Sequence, residues 1–254
     1  MESFKDKVCV VTGGAQGIGR CITREFATQG ALVAFIDKER ELGEEHQKTL
    51  TNRAFFYHGD IADEEVLRNF AAKVVALYGR VDYLINNAAI NLGGIFTPCS
   101  YNDFNRVLKV GVSAPYLLTS LLLPHFNQGA SIVNIGSTRA FMSQANTESY
   151  SAAKGAITAL THALAVSLAP KVRVNSVSPG WIETGEEGHS ASDKQQHLSK
   201  RVGRPEDIAR AVLFLCDAKN DFITGENLNV DGGMSKTMVY HGDGGWSFTP
   251  SRKL

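Results

Sequence analysis

The chain has 254 residues, 43% of them hydrophobic, which is enough to bury a sizeable core, and α/β architectures of this length commonly form one domain. Its 26 Lys plus Arg balance 26 Asp plus Glu, so no net field draws nucleic acid or an anionic membrane surface. Cys9, Cys21, Cys99 and Cys216 lack the C-x-x-C spacing of a zinc site or a disulfide framework and read as reduced thiols. His189 and His197 have no acidic or cysteine partner at ligand spacing, so no metal is expected. A leader for secretion is absent from the first residues, and no run reaches the ~18 consecutive apolar residues of a membrane span; a cytoplasmic protein is the expectation.

The first predicted strand, Val8 to Val11, runs into Thr12-Gly13-Gly14-Ala15-Gln16-Gly17-Ile18-Gly19 and then into a helix from Gly17 to Gln29. A strand, a glycine-rich turn and a helix N-terminus together suit a pyrophosphate, because main-chain N–H groups and the helix dipole face the anion while glycine lets it come close. The glycine spacing is G-x-x-x-G-x-G and differs from the commonest dinucleotide fingerprint. A second strand, Leu32 to Ile36, ends at Asp37, where a dinucleotide fold places the acid that takes the adenosine ribose hydroxyls and repels a 2′-phosphate. Lys38 beside it is a cation that could partly offset that repulsion.

Further strands are predicted at Ala54 to Tyr57, Tyr83 to Ile85, Ser131 to Ile135, Val172 to Val177 and Asn227 to Val230. Helical spacing marks Glu64 to Tyr78, Tyr101 to Phe126 and Tyr150 to Leu168. Alternation of this kind predicts an α/β fold, a single doubly wound parallel sheet of about seven strands with helices on both faces. Ligands in such sheets bind outside the carboxyl ends of the strands. Ser137 follows one strand end, and Tyr150 and Lys154, four apart on a helix, share a face. An ammonium beside a phenol, together with an oxidised nicotinamide, favours the phenolate and so makes a general base. Residues 184–203 read as a polar lid over the substrate, and 234–254 as a tail separate from the 1–233 domain. Trp181 and Phe141 suggest apolar pocket walls; Arg139 and Gln144 lie where they could face substrate, the arginine as a clamp for carboxylate or phosphate.

Residues 5 to 233 resemble the short-chain dehydrogenase/reductase family. The resemblance rests on the glycine loop, Asp60, Asn86-Asn87-Ala88, Ser137, Tyr150-x-x-x-Lys154, Pro179-Gly180 and Asp231-Gly232-Gly233. It implies that Tyr150 is the acid/base, that Lys154 binds the nicotinamide ribose, and that Ser137 orients the substrate oxygen. The cofactor would lie along Gly13, Gln16, Gly17, Ile18, Gly19, Asp37, Asp60, Ile61, Asn86, Asn87 and Ala88, then Tyr150, Lys154, Pro179, Gly180, Ile182 and Thr184. The expected activity is hydride transfer between NAD and a small-molecule secondary alcohol or ketone, by a homo-oligomer, a tetramer. The alternatives are an NADPH-dependent 3-oxoacyl thioester reductase and a non-catalytic cofactor-binding scaffold. Two positions depart from the family pattern: Ala89 follows Asn-Asn-Ala where glycine is usual, and Gly111 stands where many relatives carry the asparagine of a catalytic tetrad. Gly111 is expected to keep that helix kinked and its carbonyl free to hold a water. The aromatic tail from Tyr240 to Phe248 is expected to pack on its own or a neighbouring subunit near the lid.

Overall fold

Seven strands alternate with helices along almost the whole chain in the computed structural model, which describes residues 4–185 and 188–249. The strands are β1 (Val8–Thr12), β2 (Leu32–Asp37), β3 (Ala54–His58), β4 (Val81–Asn86), β5 (Phe126–Ile135), β6 (Val172–Pro179) and β7 (Asn227–Val230). They form one parallel sheet in the order β3-β2-β1-β4-β5-β6-β7, so the doubly wound prediction is met. The chain reverses its direction of winding between β1 and β4, and crevices for ligands open where strand order reverses in this way. β1, β4 and β6 are buried at every position, the pattern of strands covered on both faces.

Helices α1 (Gly17–Thr28), α2 (Arg40–Thr49), α3 (Glu64–Tyr78), α4 (Tyr101–Leu108), α5 (Ala114–Leu122), α6 (Glu148–Leu168), α7 (Ala191–Gln195) and α8 (Pro205–Cys216) complete the fold. One apolar core packs α3, α5 and α6 on one face of the sheet through Phe70, Val74, Leu118, Leu122 and Leu164. A second packs α1 and α8 on the other through Ile22, Phe26, Ile208 and Val212. The predicted helix from Tyr101 to Phe126 is divided: a π turn at Lys109–Ser113, with Gly111 at its centre, joins α4 to α5. The regular α-helical pattern is thus interrupted at Gly111. A Cβ on Gly111 would come within 3.0 Å of the Ala153 Cβ, so the small residue lets this turn lie close against α6, beside Lys154. By length and composition Tyr101–His125 is apolar enough to cross a membrane, although no consecutive apolar run in it is that long. Val107, Val110, Ala114, Leu118 and Leu122 instead bury that apolar face in the core.

Of the predicted lid, residues 186 and 187 lie outside the described residues, as do 250–254 of the tail. The base of the lid is tied by main-chain bonds, Glu183 N–H to Gly203 O (2.9 Å) and Gly203 N–H to Trp181 O (3.0 Å). Within the lid, α7 begins with a reciprocal cap between Ser190 and Asp193, while His197 and Val202 are buried. Of the two placements expected for the tail, the one on its own subunit is not found. Tyr240, Trp246 and Phe248 are 66%, 46% and 57% exposed, so they do not pack on their own subunit. Among the described residues Trp246 and Phe248 stack on each other, ring centroids 6.1 Å apart.

Candidate active site

Two adjoining hollows lie at the carboxyl ends of the strands. The first is a crevice of about 240 Å3 lined by Gly13, Gln16, Ile18, Gly19, Asp37, Asp60, Ile61, Asn87, Ala88 and Thr184 from the sequence-predicted set. Its floor is main chain. Thr12 Oγ1 accepts the N–H groups of Asn87 (3.0 Å) and Ala88 (3.1 Å), and the Asn87 amide donates to the carbonyls of Thr12 (3.0 Å) and Gly13 (2.9 Å). These bonds hold the glycine loop against the end of β4. Gly13 has φ +66°, and a Cβ there would meet the Ala88 Cα at 2.9 Å, so both backbone hand and space require glycine. Gly17 is likewise left-handed, with Thr184 above it. At the start of α1, Gln16 supplies no side-chain cap and the first turn holds no acid, so the leading N–H groups and the helix dipole are open to an anion.

Asp37 closes β2, buried at 7% exposure. One carboxylate oxygen accepts from Ala15 N–H (2.9 Å) and the other from Glu39 N–H (3.1 Å), leaving lone pairs toward the crevice. Lys38 lines the crevice too but pairs with Glu39 at 3.5 Å. Partial burial pushes Asp60 up; the Ala62 N–H (2.9 Å) and the Arg106 guanidinium outweigh that and hold its carboxyl below the usual range. Arg106, on α4, also lines the crevice and was not foreseen, since nothing in a single helical turn shows which strand end it faces. Asn86, expected on the adenosine side, does not line the crevice. It is buried at 4%, its amide donating to Asn134 Oδ1 (2.8 Å), whose own amide donates to Thr161 (2.9 Å). Pro179, also expected at the cofactor, is buried at the end of β6 opposite Val230 and lines neither hollow.

The second hollow, a cavity of about 510 Å3, brings Ser137 and Tyr150 together with Gly180 and Ile182. Ile182 lines this cavity and Thr184 the crevice, so the two meet along one short segment. Ser137 follows the end of β5, with its Oγ accepting the Arg139 N–H at 3.1 Å. Tyr150 stands on the first turn of α6. Burial pushes its phenol above the ordinary value; the hydrogen bond with Ser137 and the charge of Arg139 hold it partway back. Lys154 lies one turn further along, its Nζ 5.4 Å from the centre of the Tyr150 ring and donating to Ile135 O at 2.7 Å. Burial lowers the Lys154 ammonium from 10.5 to about 8. Burial thus outweighs the Arg139 charge at Tyr150, and a positive nicotinamide, when bound, would favour the phenolate. Of the residues expected to make the cavity wall apolar, Trp181 lines it and Phe141 does not; Met142, Ile182 and Met234 add apolar surface, and Arg139, Gln144, Ser143, Asn91 and Ser235 add polar groups.

These residues fit a dinucleotide: glycines where side chains would block it, an uncapped helix start for phosphate, and a fixed carboxylate at the end of β2 for ribose. Comparison with known proteins agrees. A family model described as enoyl-(acyl carrier protein) reductase matches residues 13–235. An uncharacterised oxidoreductase of Thermotoga maritima is 43% identical, over 93% of this chain and 99% of its own. A solved SCOR enzyme of Clostridium thermocellum superposes with TM-score 0.90 at 42% identity, covering 96% of this chain and 99% of that one. A Brucella melitensis structure titled short-chain dehydrogenase/reductase, glucose/ribitol dehydrogenase, gives TM-score 0.87 at 31% identity, covering 93% and 99%. With a seven-stranded parallel sheet, a glycine-floored crevice and a tyrosine and serine on the adjoining cavity, the chain belongs to the short-chain dehydrogenase/reductase family of oxidoreductases.

Proposed function

We propose that this oxidoreductase is NAD(H)-dependent and interconverts a secondary alcohol and a ketone, with Ser137, Tyr150 and Lys154 as its working residues. The observation that carries the reading is the junction of the two hollows: Ser137 and Tyr150 face the cavity while Lys154, buried beneath, is four residues along the same helix face. The nicotinamide, when bound, accepts or gives the hydride. Ser137 positions the substrate oxygen and Tyr150 exchanges the hydroxyl proton. Lys154 supplies a cation under the phenol and a donor for ribose hydroxyls. Ile182 and Thr184 flank the nicotinamide end, with Asp60 and Ile61 at the adenine.

Preference for NAD over NADP follows from Asp37. Main-chain bonds fix its carboxylate, and a 2′-phosphate beside it would set two anions at short range. Lys38 is 57% exposed and pairs with Glu39 at 3.5 Å, so solvent screens it and it offsets this only in part. The same carboxylate weighs against an NADPH-dependent 3-oxoacyl reductase, and the intact Ser137, Tyr150 and Lys154 weigh against a non-catalytic scaffold. Assembly into a homo-oligomer, a tetramer by family resemblance, is supported by apolar side chains left in solvent on one chain, Phe222 (100% exposed) and Val166 (81%) among them. Screening alcohols and ketones with NAD and with NADP tests the reading. Turnover with NAD, at least about tenfold more efficient than with NADP, is expected; turnover with NADP alone overturns the cofactor assignment.

A further inference from the structure

Arg139 sits in the 3-10 turn that follows β5, and its position is fixed twice. Its main-chain N–H donates to Ser137 Oγ at 3.1 Å, and its guanidinium donates to Thr147 Oγ1 (3.3 Å) and to Gln144 Oε1. Both side-chain partners are neutral. Among the described residues Arg139 forms no ion pair with a carboxylate, whereas Arg106, Arg24 and Arg201 each do. Arg173, which also lacks an acid partner, places its N–H groups on main-chain carbonyls of Leu215, Asp217, Asn220 and Ile223. Arg139 has no such set. Two of its five side-chain donors are used, and it lines the cavity that holds Ser137 and Tyr150.

The charges around it do not cancel. Among the described residues Asp231 is the one carboxylate lining this cavity, and its two oxygens accept the N–H groups of Gly233 and Ser235, each at 2.9 Å. Buried Lys154 adds a second cation below Tyr150. A site with a held guanidinium that forms no ion pair among the described residues, neutral amides and hydroxyls, and a volume within the usual range for small ligands is complementary to a small polar anion.

We propose that Arg139 is the specificity-determining residue that binds a carboxylate of the substrate, so that the site acts on small hydroxy acids and their oxo acids. The inference rests on the oxidoreductase reading. Gln144 and Thr147 act as positioning residues that aim the guanidinium. The planar fork matches a carboxylate's two oxygens and holds the carbinol beside Ser137 and Tyr150. In the oxidative direction the carbinol C–H leaves as hydride to bound NAD, the O–H proton passes to Tyr150, and a ketone remains; the carboxylate is unchanged.

The test uses the full chain with NAD and acids set against neutral partners: 3-hydroxybutyrate with 3-hydroxybutyramide, and gluconate with glucitol. Wild type is expected to show a KM for each acid lower than for its partner by about tenfold or more, the worth of one charge-assisted pair. Arg139→Gln removes that difference by raising the acid KM, leaving the neutral partner's KM and the affinity for NADH within about threefold, and Arg139→Lys restores part of it. Equal KM values for acid and neutral partner in wild type, or an equal loss for both in Arg139→Gln, overturn the proposal and leave Arg139 a brace for its loop. Calorimetric titration of gluconate, 3-hydroxybutyrate and inorganic phosphate into the NADH complex separates this failure from that of the oxidoreductase reading. Acid binding that Arg139→Gln abolishes, without turnover, upholds the anchor and sinks the activity. Absence of acid binding, or tighter binding of phosphate than of either acid, overturns the carboxylate assignment.

Discussion

In the crevice the chain presents its main chain to a ligand; in the adjoining cavity it presents side chains. The crevice is built from the neighbouring strand ends β3, β2, β1 and β4, locked by Thr12 and Asn87, and its glycines are dictated by contacts a Cβ could not survive. The cavity draws on Asn91, the stretch from Ser137 to Gln144, the start of α6, Gly180 to Ile182, and Met234 and Ser235 beyond the last strand. Several of those segments are exposed and free to vary without disturbing the sheet. A dinucleotide's shared parts can be met by a shared backbone, while each substrate needs its own side chains. That is why the cofactor class follows from fold and loop together, and the substrate only from the particular groups on the wall.

The comparison can be broken first at Lys154, which belongs to both halves. Lys154→Met should lower turnover by about 10³-fold and also weaken cofactor binding. The same change should raise stability at pH 7, by roughly 1–3 kcal/mol, because it removes a buried charge. The pH dependence has a definite sign. With the folded value lowered from 10.5 to about 8, the unfolded chain holds more protons between those limits, so wild-type stability rises with pH across that window. The methionine variant should lack that rise. Denaturant melts of both proteins from pH 7 to 10.5 check it, and parallel profiles contradict the buried-ammonium account.

Thr12→Val probes the main-chain half alone. It leaves the N–H groups of Asn87 and Ala88 without a partner, at a cost of about 2 kcal/mol or more and a fall in Tm of roughly 5 °C. Cofactor affinity should fall with it, while the relative KM values of different substrates stay unchanged; a reordering of substrates would erase the division between the halves. A smaller effect is expected at Asp37. Asp37→Ser should bring the affinities for NAD and NADP together by about tenfold, measured by fluorescence titration. Smallest is the tail: truncation after Gly233 should leave NADH affinity unchanged and alter substrate KM and assembly, because only the cavity borrows Met234 and Ser235. Sedimentation with kinetics on the truncated chain decides it, and a change confined to NADH affinity would place the tail at the wrong hollow.

All seven strands were legible because β-branched apolar runs bounded by glycine and helical stretches leave little choice. No helix was apparent over Arg40–Thr49, where only Gly43 and His46 are buried and the apolar stripe is correspondingly thin. The π turn inside the long helix has no periodic signature; Gly111 was the one visible hint, and its close approach to Ala153 exists only once α6 is packed. Asn86 illustrates the limit at the site. It stands in a loop-like Asn-Asn-Ala run, yet its side chain points into the sheet toward Asn134, and a strand's alternation near its end does not say which asparagine faces the ligand. Asn87, the neighbour, is the one at the crevice.

The central claim is that Tyr150 exchanges a proton with the alcohol while hydride passes to or from bound nicotinamide. The most direct measurement is single-turnover nicotinamide absorbance with saturating NAD and any alcohol wild type oxidises, compared between wild type and Tyr150→Phe with NADH affinity measured in parallel. The account predicts a fall in the rate of about 10³-fold with NADH affinity within a few-fold, since a proton-transfer group is removed and little else. A phenylalanine variant that oxidises the same alcohol at the wild-type rate would contradict it.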